Sequence, residues 1–241
     1  MTQNIYDDDE FFAGYSKLRR SEEGLAGAPE WPSLRAMLPE LAGLRVLDLG
    51  CGMGWFCRWA QEQSALSVTG IDVSEKMLDR ARQMGDPGIA YVRADLEALT
   101  LVRGSFDIIY SSLAFHYLTN LEGLIGEIAG ALVPGGRLVF SVEHPMFTAP
   151  RAAQWSQSAD GAKAWPVDSY LEEGPRTTNW LVPGVVKQHR TMARYLNLLA
   201  RNGLSLFHAE EWGPSDAQLG ADPALADERQ RPTFLLIGTL R

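Results

Sequence analysis

From residue 44 onward, short apolar runs alternate with amphipathic stretches at a steady cadence. The run over 44–49 predicts a strand and 54–63 a helix. Leu66 to Ile71 predicts a second strand ending at Asp72, and Ser74 then offers an acceptor to the orphan N–H groups of a helix over 75–84. A third strand over 89–94 ends at Asp95. A fourth, Phe106 to Ser111, is led in by Gly104-Ser105. Leu121, Leu124, Ile125, Ile128 and Leu132 recur at the helical period, with Thr119 and Glu122 in capping-box spacing. Pro134-Gly135-Gly136 stops that helix, and Arg137 to Val142 predicts a fifth strand. Strands and helices alternating at this length imply an α/β chain: a parallel sheet covered on both faces and joined by right-handed crossovers.

The two ends read differently. Phe11 to Leu41 predicts helical pieces broken at Gly24-Leu25-Ala26-Gly27 and at Pro29. Asp7-Asp8-Asp9-Glu10 ahead of them suits a solvated helix start, where the dipole favours acids. Beyond Pro145 the cadence fails: prolines recur at 150, 166, 175 and 183, among Trp155, Trp165, Tyr170 and Trp180. Leu181 to Val186 predicts a short hairpin with Pro183-Gly184 at a type II turn. Met192, Tyr195, Leu196 and Leu199 then line one helix face, Gly203 is a helix stop, and 204–210 and 233–240 predict strands. The chain therefore divides as one domain over 1–241: a helical extension (1–43), a core (44–144), an insertion (145–190) and a C-terminal helix with two strands (191–241). A segment as long as 145–190 is usually functional or disordered, and its aromatic content argues against disorder.

The chemistry should lie beyond the carboxyl ends of the strands. There the first strand runs into Gly50-Cys51-Gly52-Met53-Gly54, a G-x-G-x-G turn opening a helix. Glycines at such a turn permit positive φ and let a ligand lie on bare backbone. The other strand ends offer Asp72, Asp95, Ser111-Ser112 and Glu143-His144. Asp72 suits the two hydroxyls of a ribose, or else is a helix-start acid beside Ser74. Asp95 suits an adenine amino group, or else is a turn residue. Asp48 places an acid near the glycine turn, which suits an ammonium group better than a pyrophosphate. That acid and the G-x-G-x-G spacing disfavour an NAD(P)-dependent oxidoreductase.

The chain resembles the class I S-adenosylmethionine-dependent methyltransferases in VLDLGCGMG (46–54), GIDVSEKML (70–78), ADLEAL (94–99), FDIIYSSLAFHYL (106–118) and LVPGGRLVFSVEHP (132–145). The resemblance implies a Rossmann-like seven-stranded mixed sheet of order 3-2-1-4-5-7-6. Its last strand is antiparallel, helices cover both faces, and 204–210 and 233–240 supply strands six and seven. It implies S-adenosyl-L-methionine as cofactor and S-adenosyl-L-homocysteine as product. By motif it places Gly50, Cys51 and Gly52 against the methionyl part, Asp72 on the ribose, Val73 and Met77 beside the adenine ring, and Asp95 and Leu96 at the adenine edge. Ser111 and His116 then flank the methionine moiety and the acceptor side, and Tyr15 and Arg20 reach the methionine carboxylate from the extension.

Composition narrows the setting. A net charge of −8 disfavours a bulk grip on nucleic acid. Two cysteines and four scattered histidines show no metal-ligand spacing and cannot supply the cysteine triad of an iron–sulfur radical enzyme. Cys51 and Cys57 are expected as free thiols. No apolar run is long enough to span a membrane and the acidic start is no signal peptide, so the expected setting is cytoplasmic.

The acceptor is less legible. The Asn/Asp-Pro-Pro-Tyr motif of base-amino methylation is replaced here by Ser111-Ser112-Leu113-Ala114. A small organic acceptor, methylated on O, N or C, is the residual reading, with a SAM-binding regulator that does not turn over as the other. His116 is the first candidate base, or else packs beside the cofactor; Glu143 and His144 come next, or else end a buried strand. His189-Arg190 reads as a structural link, or Arg190 as a ligand for an acidic substrate. The insertion 145–190 is the expected substrate lid, with the N-terminal extension closing the opposite side.

Overall fold

The structure is a computed structural model that describes residues 3–85 and 87–241. Helices α1 (Asp9–Tyr15), α2 (Arg19–Glu22) and α3 (Trp31–Met37) form the N-terminal extension. Asp8 caps α1 by accepting the N–H of Phe11, and Pro32 sits in the first turn of α3, where its missing N–H costs nothing. The core follows as β1 (Arg45–Leu49), α4 (Trp55–Glu62), β2 (Ser67–Asp72), α5 (Glu75–Met84), β3 (Ile89–Arg93), β4 (Phe106–Ser112), α6 (Leu121–Ala131) and β5 (Leu132–Glu143). The insertion carries α7 (Pro145–Thr148), a two-residue pair β6 (Ser156–Gln157) and β7 (Lys163–Ala164), and a longer hairpin β8 (Gly174–Trp180) and β9 (Val182–His189). The chain closes with α8 (Met192–Arg201), β10 (Ser205–Trp212), α9 (Asp216–Ala221) and β11 (Phe234–Leu240).

One seven-stranded sheet runs β10-β11-β5-β4-β1-β2-β3. Neighbours from β3 to β5 are parallel, while β11 is antiparallel to both β5 and β10. This is the Rossmann-like order expected from the sequence. Period-two alternation splits the strand side chains between two cores. Leu47, Leu49, Ile109, Leu138 and Phe140 pack with α6 and α8 on one face. Val46, Val68, Ile108, Tyr110 and Val139 pack with α3, α4 and α5 on the other.

Two local expectations are corrected. The cap of α6 is Asn120, whose side chain accepts from Gly123 N–H, while the N–H groups of both Thr119 and Asn120 donate to Glu97. The hairpin of the insertion turns at Leu181, with Trp180 opposite Val182; Pro183 and Gly184 lie inside β9 as a bulge opposite Asn179. Cys51 and Cys57 are free. Among the described residues no helix is long and apolar enough to cross a membrane.

Candidate active site

The carboxyl ends of β1, β2, β4 and β5 open into a cavity of about 780 Å³, within the size range of small-molecule sites. The extension and the insertion supply its other walls.

The glycine turn after β1 is its floor. Gly50, Gly52 and Gly54 all have positive φ, and Gly50 lies so close to Ala114 that a Cβ there would sit 2.4 Å from that side chain. The N–H groups of Gly50 and Cys51 both bind Ile71 carbonyl, which pins the turn to β2. The Gly52 N–H donates to Asp72 Oδ2 at 2.8 Å, and Ser74 N–H donates to Oδ1 at 2.9 Å. Each carboxylate oxygen keeps a further lone pair for a ligand hydroxyl. Burial pushes the Asp72 carboxyl up, opposed by these N–H donors. Asp48 is 2% exposed, and burial pushes it up to about 8; its Oδ2 accepts from the Cys57 thiol at 3.4 Å. A buried carboxyl with no cation beside it is poised to receive one. Cys51 lines the cavity as a neutral thiol, its pKa raised to about 11.

Val73, Met77, Asp95 and Leu96 line one arm of the cavity. Asp95 also caps the turn over Leu96–Ala98 by accepting from Glu97 N–H, as its turn reading expects. Tyr15 and Arg20 line the cavity from the extension. Arg20 Nη2 is committed to both oxygens of the buried Glu30, at 3.1 and 3.2 Å. The floor and this arm fit an adenosyl cofactor: open backbone, a ribose-side carboxylate, apolar neighbours for a ring, and a buried acid for an ammonium.

His116, beyond β4, and Glu143, at the end of β5, also line the cavity. Glu143 N–H donates to His116 Nδ1 at 3.3 Å, so the neutral ring carries its proton on Nε2. Burial, with Lys187, Arg190 and Arg20 nearby, holds the pKa of His116 well below the usual value. The ring therefore presents an N–H rather than a free lone pair. Glu143 pairs through Oε1 with Lys187 Nζ, and its Oε2 is buried without a hydrogen-bond partner.

Ser111 and His144 are not brought to the cavity. Ser111 is turned into the sheet, where its hydroxyl donates to Leu49 carbonyl at 2.7 Å; Ser112, Leu113 and Ala114 line the cavity instead. His144 caps α7, accepting from Met146 N–H on Nδ1, and its Nε2 meets Glu211 at 2.9 Å. Arg190 ties the insertion to the core, and His189 ties the insertion to itself. His189 binds Thr148 Oγ1 and Tyr170 carbonyl, each at 2.8 Å, while Arg190 Nη2 donates to the carbonyls of Leu118 and Thr119.

Several lining residues gave no signal in the sequence. Tyr6, Tyr117 and Lys187 come together only through the fold. The Trp55 ring, at the start of α4, reaches back so closely to Gly24, at φ +63°, that no Cβ fits there.

A model of the methyltransferase domain matches residues 47–140. The crystal structure of an S-adenosylmethionine-dependent methyltransferase from Mesorhizobium loti is 55% identical, covers 90% of this chain and 100% of that one, and superposes with a TM-score of 0.88. This chain belongs to the S-adenosylmethionine-dependent methyltransferase family. The methyltransferase is also 34% identical over 236 residues to an uncharacterized Haemophilus influenzae protein, a match covering 94% of this chain and 89% of that one. Its 38% identity to the malonyl-[acyl-carrier protein] O-methyltransferase of Enterobacter lignolyticus covers 45% of this chain and 43% of the relative, so the match spans less than half of that enzyme. S-adenosylmethionine is the cofactor of this methyltransferase and S-adenosylhomocysteine its product.

Proposed function

We propose that this methyltransferase moves a methyl group to O, N or C of a small organic acceptor held under the insertion 145–190. The observation that carries the reading is that one cavity joins the glycine turn and Asp72 to His116, Glu143 and the aromatic residues of the insertion and extension. S-adenosylmethionine supplies a methyl group already activated on a sulfonium, so the protein's task is to position the acceptor and exclude water.

In this reading Gly50, Cys51 and Gly52 seat the methionyl part, Asp48 faces the ammonium and Asp72 takes the ribose hydroxyls. Val73, Met77, Asp95 and Leu96 surround the adenine. Tyr15 and Arg20 approach the methionine carboxylate, Arg20 through the nitrogens that Glu30 does not hold. Trp180 and Phe147 of the insertion close the acceptor side, and the extension closes the face opposite. His116 orients the acceptor as a hydrogen-bond donor. The Enterobacter relative is by name an O-methyltransferase, which favours oxygen among the three acceptor atoms.

The test is incubation of the purified protein with methyl-labelled cofactor and small-molecule extract, read by mass spectrometry. A labelled small molecule formed in step with S-adenosylhomocysteine supports the reading. Bound cofactor with no S-adenosylhomocysteine from any acceptor pool would instead mark a regulator.

A further inference from the structure

We infer that the acceptor is a small carboxylic acid bound as its anion, with one carboxylate oxygen on the Nε2–H of His116. The inference rests on the reading above for where the acceptor lies, and it adds the acceptor's chemical class.

His116 follows β4, and its ring centre lies 4.5 Å from that of Tyr117. Nδ1 accepts the Glu143 N–H, which fixes the ring proton on Nε2. Nε2 meets no partner among the described residues and is open to the cavity that the ring lines. This end of the cavity therefore offers a donor, and among the described residues it offers no free base. Glu143 is held by Lys187 through Oε1, and its Oε2 is closed off within the protein. Burial pushes the phenols of Tyr6, Tyr15 and Tyr117 up, so they stay protonated. Ser111 and His144 are turned elsewhere. An acceptor that must lose a proton here has nothing to give it to. One that arrives already ionised at neutral pH needs no such partner, and a carboxylic acid meets that condition.

Charge points the same way. Three cations act on His116: Lys187, Arg190 and Arg20. Glu143 answers Lys187, and Glu30 answers Arg20. Arg190 is buried and held by the carbonyls of Leu118 and Thr119, with no carboxylate within 4 Å among the described residues. Arg176, which lines the cavity from β8, is likewise held by carbonyls, those of Ala149, Ser169 and Glu172. An unanswered buried cation near the donor favours an anion there and disfavours an ammonium. A carboxylate also takes a stronger hydrogen bond from an N–H than a neutral carbonyl does. Transfer to its oxygen forms an O–CH3 bond as the bond from CH3 to the sulfonium breaks. The electron pair goes to sulfur, leaving a neutral ester and a neutral thioether, and no proton moves.

The experiment is an NMR titration of protein carrying nitrogen-labelled histidine, with and without saturating S-adenosylhomocysteine, using benzoate, benzamide, benzyl alcohol and benzylammonium as probes. Benzoate should bind about tenfold more tightly than benzamide, the difference between a charged and a neutral hydrogen-bond partner, and more tightly than the other two. It should also shift the Nε2–H resonance of His116, identified by its loss on substitution. His116→Phe removes the donor and should bring benzoate and benzamide level, whereas His116→Gln keeps an amide N–H and should keep the preference. Should His116→Phe fail to fold, the resonance shift in the unsubstituted protein decides. Arg190→Gln should weaken benzoate several-fold and leave benzyl alcohol unchanged, whereas a loss of packing would weaken both alike. Benzamide binding as tightly as benzoate, tightest binding of the alcohol or the ammonium, or an unmoved Nε2–H resonance would overturn the inference. So would a preference that survives in His116→Phe or is lost in His116→Gln, or an equal loss of benzoate and alcohol in Arg190→Gln. Calorimetry with S-adenosylhomocysteine alone tests the underlying reading, so the two can fail independently.

Discussion

Asp72 joins three elements through one side chain: it takes the N–H of Gly52 from the turn after β1, sits at the tip of β2, and takes the N–H of Ser74 at the start of α5. Asp72→Ala should weaken S-adenosylmethionine binding roughly ten- to a hundredfold, the range for losing a charge-assisted hydrogen bond, as read by calorimetry; unchanged affinity would remove Asp72 from the site. Gly50→Ala forces a side chain to φ +75° against Ala114. It should cost at least about 1–2 kcal/mol of stability, measured by urea unfolding. The positive φ of Gly50 and the place of Asp72 beside the turn were legible in the sequence because both are local: a glycine at the strand end, and an acid one strand and one turn away. Ser111 and His144 were placed wrongly for the converse reason. Near the end of a strand, adjacent residues point to opposite faces, and sequence does not say which face borders the cavity. Lys187 was invisible because its partner Glu143 lies 44 positions earlier, joined to it only by the fold.

At the scale of elements, one buried cation gathers three aromatic rings of the insertion. Arg231 is 3% exposed, and its guanidinium lies 4.5, 5.5 and 4.2 Å from the ring centres of Phe147, Trp155 and Trp165, with Glu228 at 3.2 Å. Cation–π contacts of this kind strengthen when desolvated. Arg231→Ala should therefore loosen β6 and β7 and raise amide exchange over 155–165 while leaving the central strands protected, as hydrogen exchange would report. A second tie is Asp7, which accepts from Ser74 Oγ at 2.6 Å and Lys76 N–H at 3.2 Å and so fastens the extension to the start of α5. The acidic run thus does more than start a helix: Asp8 caps α1 while Asp7 reaches α5. Sequence showed the core strands and helices nearly residue for residue, since each buries a periodic face. It misplaced the hairpin turn because Pro-Gly is both a turn and a bulge signal, and only pairing across the strands separates the two.

For the whole molecule, the opposing pKa shifts set how stability depends on pH. Burial holds His116 and His189 below their usual values, so the unfolded chain binds more protons at acid pH. Their contribution is complete above about 6.5 and is lost as the pH falls below it. Asp48 acts in the opposite sense. Its folded pKa is raised to about 8, so its contribution is complete below the unfolded value and is lost as the pH rises towards 8. His144, lowered by burial, adds to the histidine side and Asp72, raised by burial, to the side of Asp48, so the stability of the cofactor-free protein should fall towards both acid and alkaline pH. Asp48→Asn should flatten the alkaline decline, giving at least about 1.4 kcal/mol at pH 8, the equivalent of one pKa unit. Urea unfolding across pH 5–9 checks both. Globally, the strand order was legible because the motifs arrive in sequence and crossovers have one hand. How the extension and insertion meet over the cavity was not, because their packing is aromatic and long-range.

The central proposal is that the backbone turn after β1 and the carboxylate of Asp72 hold an adenosyl cofactor. A crystal structure with S-adenosylhomocysteine tests this most directly. The amino-acid end of the ligand should lie against Gly50–Gly52 beside Asp48, with both ribose hydroxyls on Asp72. A ligand bound elsewhere, or a turn left empty at saturating concentration, would contradict it.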